Sequence, residues 1–164
     1  MASENEAIVR RNIDEAWNGG RFEVLDESVA EHYVRYESAL PGPVRGRAEL
    51  KETIRRYRDA FPDLNVQIED MASSGDLVTT RWRANGTHRG DLMGLEATNK
   101  RSEVTGLNLA RFLDGKVIEE WQEWNEAAML RQLGVLPERK STQERALLGL
   151  SNLRMRVGGM LGGR

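Results

Sequence analysis

The sequence predicts a single α+β domain in which helices cover one face of a curved antiparallel sheet. Three observations carry this. The apolar period is about 3.6 as far as residue 61, changes to 2 after Pro62, and keeps that alternation to about residue 125. Asp114-Gly115 joins two of the long alternating runs as a hairpin turn would. Helices first and a meander afterwards is the α+β order, and a chain of 164 residues with 39% hydrophobic content suits one domain.

Ser3 and Glu6 form a capping-box pattern ahead of Ile8, Val9, Ile13, Ala16 and Trp17, which recur at helical spacing with Asn12 as the one polar interruption. Gly19-Gly20 stops the run, so a helix is predicted over 4–18. A short helix over 22–28 follows, and the aromatic and β-branched character of Tyr33, Val34 and Tyr36 predicts a first strand over 33–36. Pro41, Gly42 and Pro43 make 39–46 a loop. Over 47–61, Leu50, Ile54, Tyr57 and Phe61 share a face that Lys51, Arg55 and Arg58 avoid, which gives an amphipathic helix ended by Pro62.

Beyond Pro62, Leu64, Val66 and Ile68 alternate with Asn65, Gln67 and Glu69 as a strand does. Ser73-Ser74-Gly75-Asp76 turns the chain into a second strand over 77–86, with Val78, Thr80, Trp82 and Ala84 on one face. A glycine-rich connection over 87–100 leads to strands over 103–112 and 116–125. Hairpins in succession make the sheet antiparallel. A short helix over 127–133, a linker over 137–142 and a last helix over 142–161 complete the chain, so 1–136 is read as the domain and 137–164 as a linker with a helical extension.

Composition narrows the function. The 24 basic and 26 acidic residues nearly cancel, so nothing draws the chain to nucleic acid. There is no cysteine and there are only two histidines, so no metal site and no thiol chemistry is expected. No glycine pattern seats a nucleotide, and no cofactor is expected. The acidic start is unlike a signal peptide and no apolar run approaches a membrane span of about 20 residues, so the expectation is a cytoplasmic protein without a membrane partner.

Arg81-Trp82-Arg83-Ala84-Asn85-Gly86-Thr87-His88-Arg89-Gly90, then Gly94-Leu95, then Val117-Ile118-Glu119-Glu120-Trp121 stand in an order and spacing that resemble the SnoaL-like polyketide cyclases of the nuclear transport factor 2-like superfamily. Gly46, the 60–64 segment and 130–134 fit the same pattern, so the resemblance spans about residues 5–136. It implies a cone-shaped sheet wrapped around the N-terminal helices, cofactor-free acid/base chemistry in the cone, and a homodimer through the outer sheet face. In that family an aspartate on the last strand, helped by a histidine on the strand before it, serves an intramolecular aldol closure. The matching positions here are Gln122 and Asn108, whose amides do not exchange a proton near neutral pH.

Alternation on the last strand puts Ile118, Glu120, Gln122 and Trp124 on one face, and the family register makes that the pocket face. Glu120 is then the acid/base candidate, with solvation or an arginine partner as the alternative reading. His88 is the second catalytic candidate, with a loop-pinning hydrogen bond as the alternative. Asn108 and Gln122 either bond each other and Glu120 or orient a ligand. Trp82, Trp124, Tyr36, Tyr57 and Phe61, with Trp17 and Tyr33, are candidates for a flat apolar wall around a ring-shaped ligand. Leu107, Leu109 and Trp121 fall on the opposite face, where a homodimer or the chain's own C-terminal helix would cover them.

The expected function is a cofactor-independent enzyme that cyclises, isomerises or hydrates a hydrophobic oxygenated small molecule. The alternatives are a non-catalytic binding or carrier protein of the same fold, and an epoxide hydrolase. The last chemistry resembles an Asp-Arg-Asp arrangement, and Arg81-Trp82-Arg83 supplies no aspartate on the matching strand.

Overall fold

The computed structural model describes residues 2–150, with side chains from Glu4 onward. Helices α1 (Ala2–Asn12), α2 (Val24–Ser28) and α3 (Gly46–Ala60) pack against a six-stranded sheet of β1 (Val29–Glu37), β2 (Val44–Arg45), β3 (Asn65–Ser74), β4 (Leu77–Thr87), β5 (Arg101–Leu113) and β6 (Lys116–Trp124). Helix α4 (Glu126–Leu133) follows, capped by the Asn125 side chain, which accepts from the Ala128 N–H. A helical segment over 142–150 comes after it; the remainder of the helix expected over 142–161 lies outside the described residues.

Strand order is β2-β1-β6-β5-β4-β3, and the sheet does not close on itself. The meander β3 to β6 is antiparallel, as its turns require. β1 is not: it lies parallel to β6, the last strand of the meander. The fully antiparallel expectation is corrected there. β1 also runs beyond both ends of the predicted strand, and the short β2 occupies part of the predicted loop.

The first helix differs as well. It begins at Ala2, so Ser3 is inside it rather than capping it, and from Ile13 to Asn18 it widens into a π-helical turn in which the Gly19 N–H reaches the Asp14 carbonyl. Asn18 then bonds the Val66 backbone on both sides, donating to its carbonyl at 2.9 Å and accepting from its N–H at 2.7 Å. That pair of bonds seats the turn on β3. The main core gathers Val24, Leu25, Tyr33, Leu50, Ile54, Val78, Ala110, Phe112 and Val117 between helices and sheet. A smaller cluster of Ala60, Phe61, Leu92, Met129 and Leu133 closes the other end.

Candidate functional site

β1 alternates from Tyr33 onward, past an irregularity between Val29 and Val34, so Tyr33, Arg35 and Glu37 face the helices and are buried while Val34 and Tyr36 face outward. On β6 a bulge opposite Arg111 and Phe112 changes the parity. Val117, not Ile118, enters the core, and beyond the bulge Glu120, Gln122 and Trp124 share the inner face. Register then assembles rows across the sheet. Glu37, Gln122, Asn108 and Thr80 stand opposite one another on four strands; Arg35, Glu120 and Ala110 form the next row; Trp124, Gly106 and Trp82 form a third.

These rows floor a cavity open to solvent, whose empty space with part of the solvent outside its mouth is about 990 Å³. Its roof is the first helix and its π-helical turn, through Val9, Ile13 and Trp17, with Tyr57 of α3 and Phe61 beside them. Ile13 and Trp17 are four apart, so they share a face. Gly106 matters to the floor, because a Cβ there would overlap the Trp82 ring and come within 2.7 Å of the Glu123 carbonyl oxygen.

The polar groups fall into two sets. In the first, the Arg35 guanidinium and Glu37 carboxylate are both buried, with Nη2 and Oε2 2.8 Å apart. Those two atoms are close without hydrogen-bond alignment, and Arg35 Nε and Nη2 and Glu37 Oε2 have no hydrogen-bond partner among the described residues. The other Glu37 oxygen accepts from Trp124 Nε1 at 2.6 Å and from the Tyr57 hydroxyl at 3.4 Å. Arg35 lies over the Trp17 ring at 5.2 Å. Burial by itself would lower the Arg35 pKa, but Glu37 first, with Tyr33 and Glu120, more than offsets it and holds the guanidinium charged. Burial, then Glu37, pushes the Tyr57 hydroxyl up.

In the second set, the Tyr33 hydroxyl donates to Glu120 Oε2. Burial first, then the Glu120 charge, raises the Tyr33 pKa well above its ordinary value, so Tyr33 stays a donor at neutral pH. Glu120 Oε1 has no partner among the described residues. Asn108 and Gln122 bond neither each other nor Glu120, although both line the cavity. The hydroxyls of Thr80 and Ser102 are buried there without a partner.

Of the residues the sequence singled out, the structure thus brings Glu120, Asn108, Gln122, Trp82, Trp124, Tyr57 and Phe61 to one cavity. It does not bring Tyr36, which is 41% exposed and stacks on Trp121 at 6.0 Å on the outer face. Strand parity excludes Tyr36 from the face that Tyr33 occupies. His88 is buried outside the cavity lining, with Nδ1 accepting the Thr98 backbone N–H at 3.2 Å and its ring 5.2 Å from Phe61. Burial lowers its pKa. This geometry is the loop-pinning alternative. Arg35 and Glu37 escaped the sequence reading, and their signal was opposite charges two apart on a strand, which share a face. Arg81 and Arg83 face outward in ion pairs with Glu69, Asp70 and Glu103. Among the described residues, no group of three or more His, Asp or Glu side chains could hold a metal ion, and no helix is long and apolar enough to cross a membrane.

Comparison with known proteins adds a history to this geometry. The family model described as SnoaL-like polyketide cyclase matches residues 7–133. Aklanonic acid methyl ester cyclase DauD of Streptomyces sp. (strain C5) is 28% identical over 131 residues, covering 77% of this chain and 80% of the relative. The crystal structure of IdmH from Streptomyces antibioticus superposes with a TM-score of 0.70 at 32% identity, over 80% of this chain and 99% of that one. AclR from Streptomyces galilaeus superposes with a TM-score of 0.75 at 24% identity over the whole of both chains, and that likeness is one of fold.

Proposed function

Because the chain belongs to the SnoaL-like polyketide cyclase family, we propose that it is a cofactor-independent acid/base enzyme acting on a flat, oxygenated, polyketide-like ring, with Glu120 moving the proton. The observation that carries this reading is the state of Glu120. One oxygen is fixed by Tyr33 and the other meets no hydrogen-bond partner among the described residues, in a cavity floored by two tryptophans. Asn108 and Gln122, which bond neither each other nor Glu120, supply donors and acceptors one row away for the substrate's carbonyl and hydroxyl oxygens. An acid/base group so placed contributes about 10²–10⁴-fold.

In the ring closure this supports, Glu120 Oε1 takes a proton from a carbon beside a carbonyl. The electrons of that C–H bond form the enolate, whose carbon attacks a second carbonyl of the same molecule. A C–C bond forms, and the new alkoxide takes the proton back from Glu120. By the family resemblance Gln122 matches the aspartate position, and the carboxylate stands two residues earlier on the same strand face.

Incubation with aklanonic acid methyl ester in deuterated water tests this, because exchange at the carbon beside a carbonyl reports proton removal even if closure is slow. Glu120→Gln is expected to lower both exchange and product formation by at least about 10²-fold with substrate binding retained. Full activity in that variant overturns the assignment.

One observation favours a second reading, hydration of an epoxide. Arg35 stands beside Glu37 and Glu120 inside the cavity, an acid–arginine–acid set on β1 and β6 with glutamates in place of aspartates. Water would attack one epoxide carbon while a carboxylate takes its proton, the C–O bond would break, and that proton would pass to the released oxygen. Diol formation from a cyclic epoxide, lost in Glu37→Gln, is the outcome that would favour it. The outer face, with Leu107, Leu109, Tyr36 and Trp121, supports a homodimer in either reading.

A further inference from the structure

A buried cation with unused donors needs an explanation, because nearly all buried N–H groups find acceptors. Arg35 is 1% exposed, and its Nε and Nη2 donate no aligned hydrogen bond. Its place is nonetheless well fixed, by Trp17 over the guanidinium and by Glu37 beside it. Glu37 in turn is held by Trp124 and Tyr57. The guanidinium is therefore preorganised and has donors left to give without breaking any bond it already makes.

Charge points the same way. Among the described residues Arg35 is the one cation lining the cavity, and Glu37 and Glu120 are its two carboxylates, so that lining carries a formal charge of one negative. When Glu120 takes a proton from a bound ligand, that negative charge moves to a ligand oxygen and the total stays constant. Arg35, cross-strand neighbour of Glu120, then loses the carboxylate's attraction and gains the oxygen's. In a water-poor site such fixed donors stabilise developing charge more than solvent could.

We propose that Arg35 is the oxyanion receptor of this cavity, donating to the ligand oxygen that becomes negative when Glu120 removes a proton, and that the site selects ligands carrying a phenol or an enolisable ketone at that point. This rests on the acid/base reading of Glu120. The groups facing Arg35 are Glu37, Glu120, Tyr33 and Tyr57, and both tyrosines are held neutral by burial.

The test is the ionisation of a bound probe, which needs no turnover. 2-Hydroxyanthraquinone, a flat ring system whose visible absorption separates phenol from phenolate, is titrated with pH on the full chain carrying Glu120→Gln. The neutral amide there imitates Glu120 after proton uptake. The comparison protein adds Arg35→Met and Glu37→Gln together, which removes the pair as a pair and leaves the net charge unchanged. The bound probe is expected to ionise about tenfold more readily, one pH unit lower, when Arg35 is present. Arg35→Lys should keep part of the shift, since the charge remains and the fork is lost. Equal ionisation in the two folded proteins overturns the proposal. Should the combined variant not fold, the Arg35 Nε–H resonance of the isotopically labelled parent protein decides. It should move on addition of the probe but not of anthraquinone, which lacks the hydroxyl, and an unmoved resonance overturns the proposal. Absence of any probe binding overturns the flat-ring reading as well, whereas binding without the shift overturns the role of Arg35 alone.

Discussion

Arg35 and Glu37 stand two apart on β1, and that spacing makes them a pair on one face. A buried pair is costly to break from one side: Glu37→Ala should destabilise by about 3–5 kcal/mol in urea unfolding, while Arg35→Met with Glu37→Gln should cost clearly less, because no charge is left alone. A single variant no worse than the double would contradict this. His88 makes a pH prediction. Its folded pKa lies below its ordinary value near 6.5, so below that pH the unfolded chain binds a proton that the folded chain resists. Stability should therefore fall as pH drops from 7.5 to 5.5, and thermal melting of His88→Gln should lose part of that slope. At this scale the sequence showed which side chains β6 offers, since Glu120, Gln122 and Trp124 follow from alternation. It hid Arg35 and Glu37 because a strand read from its aromatic and β-branched residues stops short of Glu37. Tyr36 looks like pocket wall from its ring alone, but strand parity sends it to the outer face with Trp121.

Helices and hairpins were legible because each is written in a local period. β4 follows its predicted alternation, with Val78, Thr80, Trp82 and Ala84 all buried. Trp82→Ala should cost about 3–5 kcal/mol by opening the cavity floor, read as a lower denaturation midpoint with an unchanged slope. Gly106→Ala should destabilise too, since the added methyl meets the Trp82 ring. A neutral result for both would mean that Trp82 does not lie across Gly106. The π-helical turn and the parallel pairing of β1 were not legible, because neither has a local period. The turn depends on Asn18 bonding the Val66 backbone 48 residues away, and the pairing on how the returning chain meets an edge.

Across the whole molecule, the proposed dimer makes the outer face testable. Leu107 is 53% exposed next to Leu109, and the stacked Tyr36 and Trp121 extend the patch. Sedimentation should show a dimer at micromolar concentration that Leu109→Asp converts to a monomer, and a wild-type monomer would sink the idea. The parallel seam between β1 and β6 also bears on the order in which the chain acquires its structure. β3 to β6 join near neighbours through short or moderate loops, whereas the Tyr33–Glu120 and Glu37–Trp124 bonds each span 87 residues. Closing so long a loop is entropically late, so hydrogen-exchange labelling during refolding should protect β3 to β6 before β1. On the ribosome, β1 is synthesised long before its neighbour and must wait for it. The last seam to form is then the one that sets Arg35 beside Glu120, so a partly folded chain holds no assembled site and cannot begin the proposed chemistry on an intermediate that it could not finish.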